Sequence, residues 1–403
     1  MQQASDAPAV TGDQTIETAR PRQKTELIDL LRRLREESGR PIGAVFLDYA
    51  KTALGPGKLN LDEFIALGLY DAERFADVDI RSFVGLRAMR KIWQRANYRL
   101  EFYDLIRNKI SMTALLEAHG FPAIPILAHF CTTAGYESAT CLHSVEALRK
   151  FLTDASHYPL FGKPSNGFQS LGSASFQRYD EAAKELVSPD GGTKPLDLYV
   201  RDIASNYADG YLFQPRILPH PDTRALCGDR LSTVRVMTIW SGNRPLILRA
   251  CEKIPGGGNV ADNFWRPGNL LVQLDPTTGR RGRAISGAGF DMSEHTHHPD
   301  TGEAITGSSV PNWKAVCDVA LEAVRLFPDC PLIGWDIAPV EDGAVIVEVN
   351  ITPDLMLPQL ADRKGLLDKT FRIFLEDRRR SMRARIREVR EEEDAQYRPS
   401  YKS

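Results

Sequence analysis

The stretch Gly334-Trp-Asp336-Ile-Ala-Pro-Val-Glu-Asp342-Gly343-Ala-Val-Ile-Val-Glu348-Val-Asn350 constrains this chain more than any other. Two apolar runs flank the turn pair Asp342-Gly343, which predicts two adjoining strands. Side chains two residues apart leave the same face of a strand, so Glu348 and Asn350 project together, with Asp336 on the neighbouring strand. Two carboxylates and a carboxamide so placed form a set of hard oxygen donors. Magnesium takes such donors and completes its octahedron with water and phosphate. The same spacing also fits the wet face of a half-buried strand.

Comparable apolar runs predict strands over 158–163, 211–218, 232–240, 245–253 and 269–274. Helical periodicity predicts helices over 144–153, 180–187 and 312–327. Strands outnumber helices, and turn pairs such as Ser241-Gly242 join neighbours, which predicts an α+β body of largely antiparallel sheets. Upstream, Leu27, Ile28, Leu30, Leu31 and Leu34 fall at helical spacing, and further helical signals cover 61–69 and 84–106. No glycine-rich strand-to-helix turn occurs through residue 110, so this part reads as helical and not dinucleotide-binding. A short helix over 111–119 is broken by Gly120-Phe-Pro-Ala-Ile-Pro, which leads into a strand. The end of the chain, 360–393, reads as a charged, solvated helix; a basic docking site for acidic partners is the other reading of its Arg378-Arg379-Arg380 run.

At 403 residues the chain is too long for one core and calls for two or three domains or subdomains. Its 51 basic and 53 acidic residues give a net charge of -2, which supplies no global field for nucleic acid or an anionic membrane. No window approaches the roughly 20 apolar residues that span a bilayer. The six cysteines show no paired spacing and read as reduced thiols of a cytosolic protein.

Three further segments could carry chemistry. Lys163 closes the apolar run Tyr158-Pro-Leu-Phe-Gly and precedes a loop of small residues running to Phe176. A lysine beside small N–H donors suits a phosphate chain, although no Walker-type Gly-Lys-Ser/Thr follows. Arg235 and Arg249 sit inside apolar strands, where a charge needs an anion or a carboxylate. Each either makes a structural ion pair or grips a phosphoryl group. His295, His297 and His298 lie in a polar loop with no further ligand to complete a zinc site.

Taken in order, these segments resemble the ATP-grasp superfamily, and within it the sugar-transfer-associated branch. Asn108-Lys109 and the Gly120 break, Lys163 in Gly-Lys-Pro, and Tyr211-Leu-Phe-Gln214-Pro-Arg-Ile217 are similar to its nucleotide-binding half. Asn263-Phe-Trp-Arg266-Pro-Gly268 is similar to a stretch of glutamate-adding ligases that modify a ribosomal protein. The resemblance implies an ATP-grasp fold of two α+β subdomains clasping ATP, preceded by a mainly helical N-terminal domain. It implies a disordered leader at 1–24, a helical domain at 25–107, a nucleotide-binding subdomain at 108–220, a metal-binding and catalytic subdomain at 221–360, and a charged helix and tail at 361–403.

ATP and Mg²⁺ are the implied cofactors. Lys109, Lys163, Ser173, Gln214 and Ile217 would bind the nucleotide, and Asp336, Glu348 and Asn350 the metal. Arg235, Arg249, Asn263 and Arg266 would act on the phosphoryl group in flight. The implied reaction is ligation of a small-molecule or saccharide carboxylate to an amine through an acyl phosphate, in a cell-envelope or exopolysaccharide setting. A sugar or small-molecule kinase and a non-catalytic nucleotide-binding module are the alternatives. Two departures stand out: Gln214 where the superfamily usually has glutamate, and Gly334 where some amino-acid ligases have arginine.

Overall fold

The computed structural model describes residues 24–97, 103–132, 140–165, 172–242 and 244–396. The predicted leader therefore lies outside the described residues, apart from Lys24. Four helices come first: α1 (Lys24–Ser38), α2 (Ile42–Leu54), α3 (Leu61–Ala66) and α4 (Leu86–Ala96). One carboxylate organises the last two. Glu63 and Asn60 form a capping box at the start of α3, and Glu63 also accepts the Leu86 N–H that opens α4. These bonds satisfy N–H groups that have no partner inside a helix. Gly85 makes the arrangement possible, because a Cβ there would lie 2.2 Å from a Glu63 carboxylate oxygen. The helices do not close a core of their own. Leu34, Val45, Phe64, Phe83 and Met89 pack into one apolar cluster with Met237, Ile239 and Leu248 of the large sheet described below.

Next come α5 (Tyr103–Arg107), α6 (Lys109–Ala118), β1 (Ala128–Phe130), β2 (Thr140–Leu142), α7 (Val145–Thr153), β3 (Leu160–Pro164) and β4 (Ala174–Phe176). They are followed by β5 (Arg178–Asp180), β6 (Glu185–Val187), β7 (Thr193–Pro195), α8 (Leu196–Asn206) and β8 (Tyr211–Pro215). Five of these strands form a sheet in the order β2-β1-β8-β3-β4, and β5, β6 and β7 form a small antiparallel sheet. Helices α7 and α8 cover the five-stranded sheet, burying Leu148, Leu152, Val200 and Ile203 against Phe130 and Phe213. Residues 180–187, predicted as a helix, instead turn from β5 into β6. Asp180 accepts the Ala183 N–H, Lys184 takes a φ of 54°, and β-ladder pairing outweighs the helix propensity of the Glu/Ala/Lys run.

The second half holds α9 (Pro221–Cys227), β9 (Thr233–Ser241), β10 (Arg244–Ile254), β11 (Leu270–Leu274), β12 (Arg281–Ser286) and β13 (Ser293–His295). After these come α10 (Trp313–Ala323), β14 (Leu332–Val340), β15 (Gly343–Asn350), α11 (Met356–Asp362) and α12 (Lys369–Gln396). An antiparallel sheet runs β13-β12-β11-β10-β9-β14-β15, with the predicted turn joining β14 to β15. β9 and β14 read as continuous apolar runs because both faces of the sheet are covered. One face packs on α10 through Val236, Ile333 and Trp335, and the other on the N-terminal helices. Asn97 fastens the assembly, donating to the carbonyls of Leu332 and Ile351 and accepting the Leu332 N–H. The predicted C-terminal helix is two helices, α11 and α12. Only the first two turns of α12 contribute buried side chains, Phe371, Phe374 and Leu375, among the described residues.

At the far end of this sheet Arg281 donates to both oxygens of Glu252, at 2.6 and 2.9 Å, and both residues are buried. Breaking such a pair strands one charge, at a cost of about 3–5 kcal/mol. Chemical denaturation should show a loss of that size for Glu252→Ala, and a smaller loss for Glu252→Leu combined with Arg281→Met, where neither charge remains.

Candidate active site

The two large sheets meet at β15, the edge strand of the seven-stranded one. The Ile346 N–H donates to the Pro122 carbonyl at 2.8 Å, and Ala123 forms a parallel bridge to Ile346. One residue further on, the Ile124 carbonyl accepts Nε2 of Gln214 from β8 at 2.9 Å. This short run thus stitches one sheet to the other. Beside it lies a cleft open to solvent. Helices α5 and α6 supply its apolar wall through Ile106 and Met112, and its polar lining includes Arg107, Lys109, Thr113, Lys163, Gln214 and Glu348.

Two lysines face one carboxylate across this cleft. Lys109, in the first turn of α6, places Nζ 3.6 Å from Glu348 Oε1 and donates to the Ser165 carbonyl at 3.3 Å. Lys163 comes from β3 on the opposite wall. Burial pushes its ammonium down to about 8; Glu348 opposes that shift and Lys109 adds to it. Gln214 has its Oε1 buried with no hydrogen-bond partner, so one acceptor in the cleft is not spent on the protein. Asn350 ends β15 in the same way, with a buried, unbonded Nδ2.

Asp336 stands in direct register with Glu348 on one side and with Arg235 on the other. Its surroundings differ from the open oxygen cluster that the sequence suggested. Arg235 donates Nε to one Asp336 oxygen at 2.5 Å and Nη2 to the other at 2.9 Å, and Lys253 Nζ lies 3.2 Å from the second. Burial alone would raise this carboxyl, but the two cations outweigh it and hold it down at about 2. Lys253 also lies 3.5 Å from Asp262, which accepts the Thr233 hydroxyl. The result is a buried row of two cations and two carboxylates.

The other predicted positions are distributed around this centre. Arg249 pairs with Asp368 at 2.6 Å and Asp362 at 3.5 Å, where β10 meets α11 and α12, which is the ion-pair alternative of the two the sequence left open. Asn263 and Arg266 belong to a loop whose backbone is held by Asn269, which donates to the Ala261 and Asn263 carbonyls. Ser173 leads into β4, and the preceding small-residue loop, 166–171, lies outside the described residues. Ile217 packs with Ile124, Leu231 and Val347 beside the cleft. His298 is buried, with Nε2 donating to the Pro255 carbonyl and Nδ1 accepting the Asp300 N–H; His295 bonds Ser286. Among the described residues, no group of three or more His, Cys, Asp or Glu side chains forms a metal cluster. Lys253 and Asp262 were not singled out in the sequence. The period-2 pattern of β10, which puts Lys253 on the same face as Cys251 opposite Arg235, was the available signal.

The family model described as sugar-transfer associated ATP-grasp matches residues 88–373. The chain belongs to this family. No curated protein matches it. Solved structures similar to it include an ADP complex of N5-carboxyaminoimidazole ribonucleotide synthetase, at 12% identity and TM-score 0.41 over 73% of this chain and 59% of that one. Biotin carboxylase from Campylobacter jejuni is similar at 10% identity and TM-score 0.40, over 68% and 47% of the two chains. D-alanyl-alanine synthetase A from Vibrio cholerae is similar at 15% identity and TM-score 0.38, over 69% and 65%. The match spans less than two thirds of the length of each. The fold of this sugar-transfer associated ATP-grasp protein is α+β, as its motifs suggested, with a helical N-terminal region.

Two measurements test this geometry without any ligand. Lys163 should titrate near 8 by side-chain NMR; Glu348→Gln should move it lower and Lys109→Met higher. Because its folded value lies below the ordinary 10.5, the stability this group contributes is lowest below about pH 8 and rises as pH climbs from there to 10.5. Asp336→Ala leaves Arg235 and Lys253 buried beside one remaining carboxylate and should cost about 3–5 kcal/mol. Glu348→Ala, at an open carboxylate, should stay within about 0.5 kcal/mol on the same denaturation curve.

Proposed function

We propose that this chain is a magnesium- and ATP-dependent ligase that activates a carboxylate as an acyl phosphate for attack by an amine or another nucleophile. The observation that carries the reading is the convergence of Lys109, Lys163 and Glu348 in one cleft between two sheets. Two lysines facing one carboxylate, with Arg107 also in the lining, suit a polyphosphate with its divalent ion. Family membership supports the use of ATP.

Lys163 and Lys109 would neutralise phosphate oxygens, and the cleft's apolar wall would take the adenine, with the unspent acceptor of Gln214 at hand. Glu348 and Asn350 fit a magnesium site by donor chemistry: a carboxylate turned to the cleft and, two residues on along the same strand, a carboxamide oxygen. Asp336 would join them by exchanging one of its present cations. Bound there, the ion would screen the charge on the transferring phosphate. A substrate carboxylate oxygen would attack the terminal phosphorus as the bond to ADP breaks. The amine would then add to the acyl carbon and expel phosphate, losing its proton to solvent or a base. Arg235 and Arg266 would steady the charge in transit, because such transfers rest on positioning and electrostatics. No helix among the described residues is long and apolar enough to cross a membrane. A cytoplasmic step in cell-envelope or exopolysaccharide synthesis, with a saccharide carboxylate as acceptor, is the setting proposed.

A phosphate-release screen of carboxylate–amine pairs with Mg-ATP tests the proposal. Ligation yields free phosphate with an amide, ester or thioester, whereas a kinase would leave phosphate on the acceptor. With the right pair, Lys163→Ala and Glu348→Ala should each lower turnover by about 100-fold or more, with the fold intact. Near-wild-type turnover of Glu348→Ala at saturating Mg²⁺ would remove this carboxylate from the mechanism.

A further inference from the structure

The row Asp262, Lys253, Asp336, Arg235 is electrically balanced as it stands. The ladder places Thr233 opposite Lys253, and Arg235 opposite both Cys251 and Asp336, so all these side chains leave one face of the sheet. The exposed fractions of the Lys253 and Asp336 side chains are 8% and 5%. Both Asp336 oxygens are occupied. A divalent ion approaching Asp336 therefore competes with cations already on both of its oxygens.

The two cations are not equally easy to displace. Arg235 grips Asp336 with a planar fork through two parallel N–H bonds, whereas Lys253 makes one contact from a flexible stem and has Asp262 as a second partner. Lys253 is the cation that yields. Once it does, its ammonium keeps Asp262 on one side and loses its partner on the other, where an anion can take that place.

We infer that Lys253 is a positioning residue acting as a counter-ion latch on Asp336: it competes with the divalent ion, and once displaced it recruits an anionic acceptor group, a carboxylate or a phosphoryl oxygen. The inference rests on the proposal that Asp336, Glu348 and Asn350 hold the metal. Cation and anion then help one another to bind, and the linkage is reciprocal. If the quartet were instead a permanent strut, removing Lys253 would weaken the fold and leave metal affinity alone.

Electron paramagnetic resonance of Mn²⁺ bound to the full chain with saturating ADP separates these cases, with sulfate as the anion probe. In the wild type, sulfate should tighten Mn²⁺ binding by about tenfold. Lys253→Met should bind Mn²⁺ about tenfold more tightly without sulfate and lose the sulfate effect, while Lys253→Arg should restore the wild-type pattern. Should Lys253→Met fold poorly with Asp262 left unpaired, the charge-balanced Lys253→Met/Asp262→Asn variant should show the same tighter binding. Unchanged Mn²⁺ affinity in a folded Lys253→Met or double variant overturns the latch. Equal Mn²⁺ affinity in the wild type and Glu348→Ala overturns the metal site itself, and the latch with it.

Discussion

Four buried charges on one face of the large sheet set the terms for everything near them. Arg235, Lys253, Asp336 and Asp262 come from two strands in mid-sheet, a third beside them, and the loop after β10. Moving such groups out of water is costly, and mutual attraction repays the cost only when each charge finds its partner in good geometry. A one-residue slip of β14 against β9 would turn Asp336 to the opposite face, into the apolar cluster around α10. The ion row and the sheet register therefore depend on each other. Trp335, on the opposite face, locks the same register by donating to Thr238 on β9.

From that row the sheet hands over to its edge. Glu348 is the neighbour of Asp336 in the ladder, yet 41% of its side chain is exposed and it faces cations from elsewhere in the fold. Two adjacent carboxylates thus have different tasks set by depth alone: one is neutralised inside the protein, the other is open to the cleft. Lys109 reaches Glu348 because Asn108 caps α6 and fixes its first turn, and because Pro122 and Ala123 bind the β15 edge. The cleft is therefore assembled by a helix start and a strand edge, elements far apart in the chain.

That division explains what the sequence made legible. The strands on either side of Asp342-Gly343 were readable because both are apolar runs meeting at a turn, and the metal candidates followed from period-2 spacing. Arg235 was readable as a residue needing an anion, but the choice of Asp336 as that anion depends on which strands pair, and no local pattern states it. Arg249 looked the same as Arg235 in sequence; its carboxylates, Asp362 and Asp368, are more than a hundred residues away. Lys253 sat in Ala-Cys-Glu-Lys-Ile, where two adjacent charges leave opposite faces of the strand and no local pattern marks either as buried. Residues 180–187 misled for a local reason, since Glu, Ala and Lys favour helix until a ladder partner is available.

Gly334 shows how the same charge can be delivered by a different route. Some amino-acid ligases of this superfamily have an arginine at the matching position, two before the metal-binding aspartate. Here a Cβ at Gly334 would lie 2.7 Å from Cβ of Pro353 and 3.3 Å from Cδ of Arg235. The space that a side chain from β14 would need is already taken by Pro353, with an arginine crossing from β9 next to it. A guanidinium beside Asp336 is thus present, but it comes from the neighbouring strand and is anchored on Asp336 itself. An arginine on the aspartate's own strand could point past it toward a substrate; one clamped across the ladder spends its Nε and Nη2 on the aspartate. Of the two cations on Asp336, Lys253 is the one on a flexible stem, shared between two carboxylates.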